Sequence, residues 1–184
     1  MARIKIIQPE EATGELKEIY NGLIESRGKV AEVHKMQSLN PKSITDHMNM
    51  YMTIMFSKSP LRRYQREMMA VVVSASNGCQ YCIRHHAEAL NFYWKNEERL
   101  QLLIADYTSC DLNKTDMLLC EFAKELTLHP ESARSEILAE KVKDLLGDRA
   151  LLDGSLVVSY FNFVNRMVNS LGIELEADPG GYKY

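Results

Sequence analysis

The stretch from Glu67 to His86, reading EMMAVVVSASNGCQYCIRHH, decides the fold. The apolar run Met68 to Val73 has helical rather than alternating character, Ser76-Asn77-Gly78 interrupts it, and a second helix opens at Cys79. Two helices joined by so short a turn read as an antiparallel hairpin, with both sulfurs in the first turn of the second helix. At 3.6 residues per turn, positions 79, 82 and 86 fall within roughly 60° on one face. Glu67 lies about 15 Å back along the first helix at ~1.5 Å per residue, nearly level with positions 86 to 88. The spacing therefore predicts a hydrogen bond between Glu67 and His86.

These residue types carry thiol chemistry. A free cysteine, with a pKa near ~8.5, is mostly protonated at neutral pH, and the thiolate is the nucleophile. Helix N-terminal N–H groups stabilise a thiolate, and a histidine one turn further on can take or relay its proton. Glu67 supplies a terminal base for such a relay. His85 points about 100° away from His86 and reads as a surface or supporting residue. His34, His47 and His129 have no local partner pattern. Cys110 and Cys120 read as inert.

Working outward, the chain shows helical periodicity almost throughout, which predicts an all-α protein. Pro9 and Glu10 open a first helix through about Ser26, with Leu16, Ile19, Tyr20 and Leu23 on one face and Gly28 at its end. A Met-rich helix covers about Lys42 to Ser57, with Met48, Met52 and Met55 filling the core. Ser59-Pro60 starts the helix that carries Glu67, and the cysteine helix runs to about Trp94. Further helices are expected over roughly 97 to 106, 114 to 128, 132 to 146 and 148 to 171, with Asn113, Ser132 and Gly147 as boundary signals. Phe161, Phe163, Val164, Met167 and Val168 cover much of a helix circumference, which predicts burial against more than one neighbour. Asn162, Asn165 and Arg166 read either as site-lining groups or as buried hydrogen-bond anchors. One domain is expected over residues 1–184, with its core at about 8–176 and a flexible tail at 177–184.

Composition narrows the classes. The chain has 184 residues, 46% hydrophobic and 26% charged, with a formal net charge of −3. That balance suits one domain with a sizeable core. No basic block points to nucleic acid, and Arg62, Arg63 and Arg66 read as a solvated helix face. The N-terminus lacks a signal-peptide core, and no run approaches the ~20 apolar residues of a membrane span, so a cytoplasmic location is expected. In a reducing compartment four cysteines do not form a structural disulfide framework, so the close pair reads as redox or metal chemistry.

Glu67, eleven intervening residues, then Cys79-Gln-Tyr-Cys82-Ile-Arg-His-His86 resembles the signature of the alkyl hydroperoxidase D family. Tyr160-Phe161-Asn162-Phe163-Val164-Asn165-Arg166, followed by Leu171-Gly172-Ile173-Glu174, is similar to the second motif of the peroxidase-related branch of that family, within the carboxymuconolactone decarboxylase superfamily. The likeness spans roughly residues 8 to 176. It implies a helical domain in which Cys82 forms a sulfenic acid with peroxide, Cys79 resolves it to a disulfide and donates a proton, and Glu67 with His86 forms the relay. It also implies no cofactor, a dithiol or lipoyl-bearing protein as reductant, and a homo-oligomer, a trimer or hexamer. Where the best-known pattern has histidine before the second cysteine, this chain has Tyr81, a poor base at neutral pH.

Other readings compete. A structural zinc module could use Cys79, Cys82 and His86 with Glu67 or Cys110, although no second C-x-x-C or H-x-x-x-H occurs. A noncatalytic helical oligomer could use the pair as a redox switch. Lactone decarboxylation rests on fold analogy alone and has no evident need for two thiols.

Overall fold

The computed structural model describes residues 2–176; the tail expected at 177–184 lies outside them. Among the described residues the secondary structure is entirely helical, with no strand: α1 Gly14–Arg27, α2 Glu32–Lys35, α3 Pro41–Phe56, α4 Arg63–Ser76, α5 Gln80–Trp94, α6 Glu97–Asp106, α7 Lys114–Leu128, α8 Ala133–Leu146 and α9 Asp148–Leu171, with a 3-10 turn at Tyr107–Ser109. None of these helices is long and apolar enough to cross a membrane. The chain divides into two compact units, one holding residues up to Met52 and from Met167 on, the other Thr53–Arg166.

In the first unit, Ala12, Leu16, Tyr20, Leu23, Val30 and Ile44 form the core, with Ile7, Ile19 and Met48 packed on it. The Tyr20 hydroxyl donates to the Ile7 carbonyl at 3.0 Å. Arg3 donates from Nη1 to the carbonyls of Asn169 and Ser170 at 2.7 and 2.6 Å, satisfying acceptors that a helix C-terminus leaves open. The first helix begins at Gly14, later than the sequence expectation. Residues 8–11 close a turn instead, and extended Thr13 with Gly14 at φ +54° separates that turn from the helix.

In the second unit α4 is the central element. Every residue from Gln65 to Ser74 is buried, as expected for a helix enclosed on all sides. It packs against α5, α6 and α7, and α7 against α8. Gly154 brings α9 close: a Cβ there would lie 3.4 Å from Met69 and 3.6 Å from Leu61. The methionine expectation holds for Met55, which is fully buried, and fails for Met52, which is exposed. Phe161, Val164 and Val168 are buried, whereas Phe163 is half exposed.

Candidate active site

The turn between α4 and α5 is a Schellman motif. The Cys79 N–H reaches the Ser74 carbonyl at 2.9 Å and the Gly78 N–H reaches the Ala75 carbonyl at 3.1 Å. Gly78 takes the left-handed conformation the motif requires, at φ +64°. The chain therefore enters α5 at once, with Cys79 itself as N-cap rather than within the first turn, and Cys82 at the third helical position.

Both sulfurs are free thiols and both are buried. They are hydrogen-bonded to each other, and they differ in charge preference. The Cys82 thiol, against burial, holds the Cys79 sulfur below its ordinary pKa, aided by the Cys82 backbone N–H. Cys82 is pushed well above its ordinary value by that bond, by burial and by the Cys79 charge, while a hydrogen bond from Asn165 pulls it down. Of the two sulfurs, Cys79 therefore gives up its proton the more readily.

His86, one turn beyond Cys82, bonds from Nδ1 to Glu67 Oε2 at 2.7 Å. An ionised carboxylate only accepts, so Nδ1 carries the hydrogen and Nε2 is the acceptor of the neutral ring. Phe161 packs edge-on against the imidazole, with ring centroids 4.4 Å apart. Glu67 is completely enclosed. Burial pushes its carboxyl up, and His86 with Arg63 outweighs that effect and leaves it below the ordinary carboxylate value.

Arg63 was hidden in the sequence among neighbours that read as a solvated cluster. It donates from Nε to Glu67 Oε1 at 2.8 Å and again from Nη2, with its guanidinium 3.6 Å from the Phe56 ring centroid. Arg66 is also buried and donates to the Ile54 and Ser57 carbonyls. The i, i+4 spacing of Arg63 to Glu67 was the available signal. His85 packs at a tilt against Tyr81, with ring centroids 4.5 Å apart. Cys110 and Cys120 are buried, and burial raises both. No three His, Cys, Asp or Glu side chains among the described residues converge as a metal would require, which leaves the zinc reading without a ligand set.

The model of the carboxymuconolactone decarboxylase family matches residues 44–111, a span that contains Glu67, both cysteines of the pair and His86. Over the whole fold, the crystal structure of an uncharacterized peroxidase-related protein from Silicibacter sp. TM1040 superposes with a TM-score of 0.80 at 25% identity, covering 96% of this chain and 92% of that one. Residues 44–111 thus resemble the carboxymuconolactone decarboxylase family, and the chain as a whole has the alkyl hydroperoxidase D-like helical fold. Two further members of this structural group show how widely the fold is shared. The alkylhydroperoxidase AhpD core of a peroxidase-related protein from Ralstonia eutropha JMP134 has a TM-score of 0.81 at 21% identity, covering 96% and 93% of the two chains. The debrominase Bmp8 has a TM-score of 0.78 at 17% identity, covering 96% and 94%. At such identities these last two likenesses speak for the fold alone.

Proposed function

We propose that the protein is a cytoplasmic dithiol peroxidase that reduces hydroperoxides with the electrons of Cys79 and Cys82. The observation that carries this reading is the pair of buried free thiols on α5, one helical turn from an imidazole held by a buried carboxylate. The Cys82 proton passes to the Cys79 thiolate, and the Cys82 thiolate attacks the terminal peroxide oxygen. The O–O bond breaks, Cys82 becomes the sulfenic acid, and the departing alkoxide takes the proton from Cys79 to leave as an alcohol. The Cys79 thiolate then displaces hydroxide from the Cys82 sulfur. His86, held by Glu67, takes the Cys79 proton on Nε2 when the reduced pair first ionises and returns it here to turn this hydroxide into water. Two thiols and one hydroperoxide thus yield a disulfide, an alcohol and water. A dithiol, such as a lipoyl group on a partner protein, restores both thiols by exchange.

The test is steady-state turnover of cumene hydroperoxide with dihydrolipoamide. The reading expects turnover well above that of free dithiol, abolished in Cys79→Ser and Cys82→Ser. A loss on the order of 10²-fold is expected in His86→Ala, the scale of a general acid–base contribution. Turnover equal to free dithiol would overturn it. The debrominase neighbour, whose cysteine-to-alanine variant was solved with 2,3,4-tribromopyrrole, provides the comparison substrate. Bromide release from that compound outpacing peroxide reduction would replace peroxide by an aryl bromide as electron acceptor.

A further inference from the structure

Glu67 is held through both carboxylate oxygens. Its Oε1 accepts from Arg63 Nε at 2.8 Å and again from Arg63 Nη2, and its Oε2 accepts from His86 Nδ1 at 2.7 Å. The residue has no exposed surface, and an aromatic ring packs on each of its two partners. The Arg63 guanidinium carbon lies over the Phe56 ring, 3.6 Å from the centroid, and Phe161 stands edge-on to the imidazole at 4.4 Å. Arg66, the residue before Glu67, is turned to the Ile54 and Ser57 carbonyls instead. The cation bonded to the carboxylate is therefore Arg63, one turn before it on α4.

A carboxylate enclosed in this way needs a counter-charge. Arginine does not lose its proton in a protein, so Arg63 supplies that charge at every pH the fold meets. His86 can then stay neutral, with its hydrogen on Nδ1 and with Nε2 bare. Without Arg63 the imidazole would be left to balance the carboxylate, and the Glu67–His86 pair would take up an extra proton. Placed on the ring, that proton makes an imidazolium with a hydrogen on Nε2. Placed on the carboxyl, it is donated from Oε2 to Nδ1, and the ring's own hydrogen moves to Nε2. Both placements have one consequence: Nε2 can no longer accept.

We propose that Arg63 is a positioning residue of the relay: bonded to Glu67 Oε1, it neutralises the carboxylate and so keeps His86 Nε2 bare and able to take a proton. That this proton comes from Cys79 rests on the peroxidase reading; the state of Nε2 does not, and the test uses no peroxide. In reduced, isotope-labelled protein, the nitrogen shift of His86 Nε2 reports by NMR whether that atom carries hydrogen. A charge beside a carboxylate changes its proton affinity by about 10- to 10³-fold. At a fixed pH of ~8, Arg63→Met is therefore expected to raise the share of Nε2 that carries hydrogen at least about tenfold. Arg63→Lys, which restores the charge, and Arg63→Met with Glu67→Gln, which removes the need for it, are both expected to return Nε2 to the bare state. Hydrogen persisting on Nε2 in both would overturn the proposal. A merely structural role for Arg63 would lower the melting temperature of Arg63→Met and leave Nε2 bare, and that result overturns it too. Wild type keeps the test decisive if Arg63→Met fails to fold. As pH is lowered, its Nε2 is expected to gain hydrogen while the Glu67 Cδ signal stays at the ionised position, and a Cδ signal that moves with the ring would refute the assignment. Should the protein meet these expectations yet turn over no peroxide, the peroxidase reading falls and the role of Arg63 stands.

Discussion

Replacing Arg63 by Met probes the electrostatic support of Glu67. The methionine stem can still lie over Phe56, while both hydrogen bonds to Glu67 Oε1 disappear. Removing one partner of a buried ion pair costs about 3–5 kcal/mol. Here His86 still holds the other carboxylate oxygen, and the Arg63 side chain is 16% exposed, so water can replace part of what is lost. A cost of about 2–3 kcal/mol at pH 7 follows, or roughly 4–12 °C in Tm for a chain of this length. The sign of the pH dependence follows from the lowered carboxyl. Its stabilisation is complete above the unfolded-state value near ~4.3 and is lost as pH falls through the lower folded value. Without Arg63 the folded value rises toward the unfolded one, so the gap between wild type and Arg63→Met narrows as pH falls through that range. Urea denaturation of the reduced proteins at several pH values measures this. Arg63→Met combined with Glu67→Gln is expected to be more stable than the sum of the single losses by at least about 1 kcal/mol, since no unpaired charge remains. A single-variant cost under about 0.5 kcal/mol at pH 7, or simple additivity, would refute the reasoning.

In the first unit, burial lowers His47 to about 4, and its Nδ1 lies 2.7 Å from Gln37 Nε2. Gln37 Nε2 also donates to the Val33 carbonyl, so Nδ1 is an acceptor and the ring is neutral. The unfolded chain binds this proton first, so stability falls by about 2–3 kcal/mol as pH drops from ~6.5 toward 4, and His47→Gln should flatten that slope in urea titrations. Two glycine substitutions should act with opposite sign in thermal melts. Gly154→Ala gains about 0.5–1 kcal/mol, because the new methyl meets only ordinary contacts within a helix. Gly78→Ala loses about 1 kcal/mol, because φ is +64° at the Schellman position.

Period, capping residues and turn chemistry were enough to read most helices. Asn113 and Ser132 cap α7 and α8 through their side chains, and Gly147 ends α8, as local rules require. Local rules do not reach the 8–11 turn, where Thr13 and Gly14 delay the first helix, or the single-turn α2, too short to show a period. At the site, Cys79, Cys82, Glu67 and His86 were visible because an intervening turn of known length brings equidistant positions together. Arg63 was misread because three nearby arginines look solvated until the position of Phe56 and the loop carbonyls is known. The open choice for Asn162 and Asn165 depended on contacts with Asn77 and Ser74, more than eighty residues away in sequence, where periodicity carries no information.

The most direct test of the account is a single-turnover stopped-flow reaction of reduced protein with cumene hydroperoxide, with dimedone trapping and mass spectrometry to locate the adduct. The account expects wild type to pass rapidly to a Cys79–Cys82 disulfide, Cys79→Ser to accumulate sulfenic acid at Cys82, and Cys82→Ser to react no faster than a free thiol. Sulfenic acid trapped at Cys79 instead, or wild-type oxidation as slow as a free thiol, would contradict it.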